Sequence, residues 1–197
     1  NARAMKPPGT HWEYNDVRIN QLSLALLHLF KRPLPEVFLE TILKPLGGGD
    51  GFRWEGYDDA WTELVDASGT RRKMQSVPGG THWGGGVSIS ARDQARVGQL
   101  ALNGGAHNGE QLVPRAWINR MTQPCAIAPF YGRLMWLNTD GTQFPGASKQ
   151  ASFMVGAGGH YTWIEPAHDA VVVVRWLDST QAPNFMTRIA AALGAAA

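Results

Sequence analysis

Near the end of this chain stands a run that alternation cannot explain: Ala170-Val171-Val172-Val173-Val174. An alanine and four valines in succession read as a strand, and a strand apolar on both faces must be covered on both faces. Helices above and below a sheet do this, so the run predicts a layered fold of helices and sheet. The strand is expected to continue to Leu177, and Arg133–Leu137, Ser152–Val155 and Tyr161–Ile164 also read as strands. Phe185–Leu193 reads as a closing helix. At 197 residues the chain is long enough to bury a substantial core, as one large domain or two small ones.

The earlier part of the chain has a helical character. Val17, Leu22, Ala25, Leu26, Leu29 and Phe30 recur at helical spacing, which predicts one helix from Asp16 to Lys31, stopped by Pro33. Pro35 opens a second helix through Leu43, closed by Pro45 and Gly47-Gly48-Gly49. Phe52–Val77 is mixed polar and aromatic and predicts short strands turning at Ser68-Gly69. Pro78 to Gly86, with five glycines counting Gly86, must be loop. Ser90 with Asp93 three residues later resembles a capping box for a helix ending at Asn103-Gly104-Gly105. Pro114 starts a further helix to about Met121. The expected organisation is a helical region over 1–130 and a sheet with its closing helix over 131–197, together one structural unit.

Several function classes drop out on composition. Hydrophobic residues make up 44% and charged residues 17%, which is globular rather than disordered. A formal net charge of +2 gives no electrostatic footprint for nucleic acid, and the one basic run, Arg71-Arg72-Lys73, reads as a solvated turn. No apolar stretch reaches the roughly 18–20 residues of a membrane span. Cys125 stands alone in a loop sequence, so there is no internal disulfide and no cysteine metal site. The six histidines show no metal-ligand spacing, no Gly-x-Ser-x-Gly elbow occurs, and no metal or organic cofactor is expected. Twenty-three glycines and eight tryptophans suggest tight loops around a cleft with large flat walls.

The candidate chemistry begins in Pro8-Gly9-Thr10-His11-Trp12-Glu13-Tyr14-Asn15-Asp16. A Pro-Gly turn here delivers a tyrosine and two short polar side chains to the start of a helix, where Asn15 or Asp16 can serve as the cap. The stretch resembles the second motif of the serine beta-lactamase and penicillin-binding-protein superfamily, and most of all its class C-type branch, which includes esterases and 6-aminohexanoate-dimer hydrolases. In that branch a Tyr-x-Asn follows a Pro-Gly turn and opens a helix. The resemblance implies that Tyr14, with a lysine, takes the proton from a nucleophilic serine and returns it to the leaving group. A phenol ordinarily titrates near 10, so the role needs a neighbouring cation. The third motif position is Asp16 rather than asparagine. Asp16 would orient the tyrosine–lysine pair, or Asn15 would turn inward in its place and contribute to the substrate site.

Two later segments follow in the superfamily's order. His82-Trp83-Gly84-Gly85-Gly86 before Ser90-Ala91-Arg92-Asp93 resembles its glycine-rich entry to a Ser-x-x-Asp helix, with His82 and Trp83 facing the cleft. Phe153–Pro166 resembles the strand that carries Lys-Thr-Gly and its hairpin. Mapped there, the N–H of Ala157, just past Gly156, would supply half of an oxyanion hole. Met154-Val155-Gly156 replaces Lys-Thr-Gly, which removes groups that bind a penicillin-type carboxylate and leaves a neutral ester or amide as the implied substrate. Met154, Gly156 and His160 would line the pocket. The implied fold is α/β (α+β): an antiparallel sheet flanked by helices, plus a mainly helical region.

One motif is missing. The superfamily's nucleophile lies in Ser-x-x-Lys, and the residues three before the lysines here are Arg3, His28, Thr41, Thr70 and Gly146. The chain is therefore expected to be the C-terminal portion of a longer hydrolase, inactive alone, or a degenerate relative. In such folds N-terminal strands pair beside the last strand. Without them Ala170–Leu177 would be a bare apolar edge, which natural proteins avoid. A complementary N-terminal segment carrying Ser-x-x-Lys is the expected partner, and a small ester, amide or lactam the expected substrate. The rival reading is a non-catalytic module whose tryptophans hold a sugar, peptide or cell-wall fragment.

Overall fold

The structure, a computed structural model, describes residues 6–7, 9–77 and 86–195. The chain divides into two compact units: Asn15–Val97, and the segment ending at Tyr14 together with Gly98 onward. Among the described residues no helix is long and apolar enough to cross a membrane.

In the unit Asn15–Val97, α1 (Asp16–Phe30) starts where Asn15, in extended conformation at φ −140°, accepts a hydrogen bond from the Arg18 N–H at 3.2 Å. It ends on Lys31 in left-handed conformation, whose N–H returns to the Leu27 carbonyl. α2 (Leu34–Phe38) opens on Pro33 and Pro35 and continues as a π-helical turn over Leu39–Leu43. The second helix predicted to Leu43 is thus wound in two registers. Leu43 is wholly buried, as are Leu27, Met74 and Val77. Strand β1 (Arg53–Trp54) is followed by the hairpin of β2 (Trp61–Val65) and β3 (Arg71–Gln75). The Ser68-Gly69 turn is held by the Asp66 carboxylate, which accepts from the Ser68 and Thr70 N–H groups at 2.9 Å each. β4 (Val87–Ser88) pairs antiparallel with β1.

α3 (Ala91–Leu102) begins as its sequence predicts, with the Asp93 N–H donating to Ser90 Oγ at 3.0 Å. Asp93 also accepts from Arg96 at 2.6 Å and from the Gly49 N–H at 3.3 Å. Burial opposes its ionisation, but the bonds from Arg96, Gly49 and Ser90 outweigh this and hold its carboxyl below the ordinary range.

The other unit contains the main sheet. After a small hairpin of β5 (Ala106–His107) and β6 (Glu110–Gln111), turning on Asn108 and Gly109 at positive φ, comes α4 (Arg115–Met121). Then β7 (Trp136–Leu137), β8 (Ser152–Gly156), β9 (His160–Glu165) and β10 (Ala170–Val174) form an antiparallel sheet in the order β10-β9-β8-β7, and α5 (Ala182–Ala195) closes the chain.

The register explains the valine run. Phe153 opposite Trp163, Trp163 opposite Val172 and Tyr161 opposite Val174 put one set of side chains on the α5 face. There they form a core with Phe144, Ala182 and Met186. The alternate set, Met154, Thr162, Ile164 and Val171, faces the end of α3. Gly98 lies so close to this face that a Cβ on it would stand 2.7 Å from Val171 and 2.9 Å from Thr162, and Ile164 and Met154 pack with Ala101, Leu102 and Met121. Helices therefore cover both faces, as the non-alternating run requires.

Two predicted strands are shorter than expected. Arg133–Leu137 reduces to Trp136–Leu137, because Leu134 takes φ +60° and the Gly132 N–H closes a turn onto the Met135 carbonyl. Ala170–Leu177 ends at Val174, because Trp176 takes φ +57°. The closing helix is longer than Phe185–Leu193 and starts at Ala182.

Two buried polar groups fix the loops around this sheet. Asn138, wholly buried, donates to the carbonyls of Phe144, Ala147 and Ser148 and accepts from the Phe144 N–H. Glu165, also wholly buried, accepts from the Ser148 N–H at 2.9 Å, the Trp163 Nε1–H at 3.2 Å and the Ala167 N–H at 3.2 Å. Such groups are tolerated inside because each finds its partners.

Candidate active site

Tyr14 immediately precedes the cap of α1, and its ring is held by aromatic neighbours far along the chain. It stacks on Trp136 with centroids 5.7 Å apart and meets Tyr131 edge-on at 6.3 Å. Trp12 adds contacts to Phe130 at 5.0 Å, Tyr131 at 5.4 Å and Trp136 at 6.2 Å. Edge and offset contacts at these separations are the favourable geometries for aromatic rings. The ring of Tyr14 is therefore positioned, yet it remains 57% exposed. A phenol fixed by its ring and open to solvent can exchange protons with a ligand.

Its neighbour behaves differently. Burial, and then the proximity of Tyr14, push the Tyr131 phenol up to about 12. Tyr131 stays neutral where hydrolases work, so this phenol is a hydrogen-bond donor or acceptor and no base.

Asn15 spends its side-chain oxygen on the α1 cap, while Asp16 lies exposed in the first turn, where the helix dipole favours a carboxylate. Ala157 is exposed on the three-residue turn that joins β8 to β9. Gly156 and His160 pair across the base of that turn, and a Cβ on Gly156 would lie 3.2 Å from the Cβ of His160. Met154 is half-buried against Ile164 and its helical neighbours, on the opposite face of β8 from Phe153 and Val155. His82 and Trp83 lie outside the described residues.

The structure adds residues that the motif reading passed over. Tyr131 and Trp136 meet Tyr14 across more than a hundred residues of sequence. No local pattern announces them, although the strand assignment did include Trp136. Trp176 stands at the other end of β8 and β9. Its indole meets the His160 ring at 4.5 Å, T-shaped, and lies 3.3 Å from a Cβ built on Gly158. Trp176 is 79% exposed and left-handed at φ +57°, a conformation that costs a side chain of this kind about 1–2 kcal/mol.

The backbone around it is locked. The Leu177 N–H donates to the Gly159 carbonyl at 3.1 Å, and Gly159 sits at φ +78° where a Cβ would come within 1.8 Å of the Leu177 carbonyl oxygen. Only glycine fits there. Among the described residues no group of histidines, cysteines and carboxylates is placed to hold a metal ion.

The chain has counterparts among known proteins. The family model described as Beta-lactamase matches residues 1–196. The 6-aminohexanoate-dimer hydrolase of Paenarthrobacter ureafaciens is 30% identical over 102 residues, covering 45% of this chain and 24% of that protein. A beta-lactamase structure from Mycobacterium bovis superposes with a TM-score of 0.65 at 16% identity, over 100% of this chain and 68% of its own. EstCE1, a hydrolase with promiscuous acyltransferase activity, superposes with a TM-score of 0.62 at 19% identity, over 96% of this chain and 58% of its own. The chain thus spans about a quarter of the curated relative that it matches. The match over 1–196 decides the matter: the chain belongs to the beta-lactamase family.

Proposed function

We propose that this chain is the C-terminal portion of a beta-lactamase-related serine hydrolase that cleaves neutral esters or amides through an acyl-serine intermediate. The observation that carries the reading is Tyr14: an exposed phenol held by Trp136 and Tyr131, in a stretch that resembles the family's acid–base tyrosine motif. In this reading Tyr14 and a lysine outside these residues take the proton from the serine Oγ as it attacks the carbonyl carbon. The negative charge that develops on the carbonyl oxygen is met by the Ala157 N–H. Tyr14 then returns the proton to the leaving oxygen or nitrogen, and water repeats the cycle on the acyl-serine. Asp16 orients Tyr14, and His82, Trp83, Met154, Gly156, His160 and Asn15 bound the substrate.

The serine and lysine come, on this proposal, from a complementary N-terminal segment that also pairs with β10. Its support is the place of β10 as an outermost strand of the described sheet, with Ala170–Val174 all half-buried. The test is made on the complete gene product. Tyr14→Phe should lower turnover of a chromogenic short-chain ester about a hundredfold or more, and a fluorophosphonate probe should label a serine outside these 197 residues. Unchanged turnover in the variant would sink the assignment of Tyr14, and absence of labelling would sink the acyl-serine.

A further inference from the structure

Trp176 pairs exposure with backbone constraint. Its indole is 79% in solvent, so core burial does not repay the left-handed φ of +57°. The closure of Leu177 onto Gly159 fixes the backbone on one side, and on the other the indole meets the His160 ring, 3.3 Å from where a Cβ on Gly158 would stand. The indole is thus turned toward the β8–β9 turn, beside the residue that follows Ala157.

Resting on the hydrolase reading above, we propose that Trp176 and His160 form the substrate-recognition corner of the site, selecting esters or amides that carry a flat ring. The two rings meet at 71°, which makes a corner with one open wall. Such a corner accepts a planar group laid against the indole in offset stacking. A Cβ on Gly158 would stand 3.3 Å from the indole and 3.4 Å from the His160 ring, so the corner lies one residue from Ala157, whose N–H the hydrolase reading assigns to the carbonyl oxygen.

The test uses the complete gene product and three esters: ethyl butanoate, ethyl benzoate and 4-nitrophenyl butanoate. Trp176→Gly removes the indole and places at this φ a residue that adopts it freely. The preference for at least one ring-bearing ester over ethyl butanoate, as kcat/KM, should fall about tenfold in this variant, with the loss carried in KM. Its Tm should hold or rise, and Trp176→Phe should restore most of the preference. A common factor for all three esters would overturn the corner while leaving the hydrolase reading intact, and so would a lowered Tm accompanied by such a common factor. No turnover of any ester by the wild-type protein would overturn the hydrolase reading and the corner together.

Discussion

Two groups of aromatic rings in the same unit are put to opposite use. Phe144, Phe153 and Trp163 lie between the sheet and α5, with Phe153 wholly buried and stacked on Phe144 at 3.8 Å. Trp12, Tyr14, Tyr131 and Trp136 make contacts of similar kind at the far edge of the sheet, yet Tyr14 stays more than half exposed. In the first group the rings are removed from water, and their burial stabilises the fold. In the second, the contacts orient a polar ring without covering it. Chemical similarity between the two groups hides a division of labour that only burial reveals.

The contrast can be broken at either end. Phe153→Ala should cost about 3–5 kcal/mol of unfolding free energy, because the space it leaves is walled by Phe144 and Trp163. A loss below about 1 kcal/mol in urea denaturation would mean that this cluster does not carry the core. Tyr14→Phe makes the opposite claim: activity of the complete protein falls about a hundredfold, equivalent to about 2.7 kcal/mol of transition-state stabilisation, while stability shifts by less than about 0.5 kcal/mol. Equal damage to both would place Tyr14 among the structural rings.

Glu165→Gln sharpens the comparison inside the core. It keeps the shape but turns an amide donor among three N–H donors, for an expected loss of about 1–3 kcal/mol, read from denaturation midpoints.

The smallest effect belongs to Tyr131. Its pKa of about 12 in the fold lies above the ordinary phenol value near 10, so the folded state favours the protonated form. The stabilisation is complete below pH 10 and is lost as the pH rises through 12. Since the ring is only half buried, solvent screening limits the effect to about 1 kcal/mol. Tyr131→Phe should therefore flatten the fall in stability between pH 10 and 12, as followed by thermal melts. A wild-type curve already flat over that window would show the phenol to be solvated.

Much of this architecture is written locally. The valine run demanded cover on both faces, and α5 and the end of α3 supply it. Ser90 and Asp93 signalled the start of α3, and the spacing of Leu26, Leu29 and Phe30 signalled α1. What could not be read is non-local or conformational. Trp136 and Tyr131 reach Tyr14 only through the folded chain, so no window of sequence contains the cluster. Trp176 carries a side chain that propensity assigns to strands, but left-handed backbone at Leu134 delays the start of β7 and at Trp176 ends β10 early. Propensity averages over surroundings, whereas in both places one turn decides.

The closure of Gly159 onto Leu177 has a consequence for how this protein can diversify. With a carbonyl oxygen 1.8 Å from where a side chain would begin, position 159 admits no alternative residue. Shape at this end of the molecule must therefore be varied by its neighbours. Ala157 and Trp176 are exposed, and the His160 ring meets the indole, so changes at these three positions alter the surface without touching the closure. A mutagenesis library aimed at new substrates should randomise those three positions and leave the glycine untouched. The rigid turn would then serve as a fixed frame in which selectivity is edited one side chain at a time.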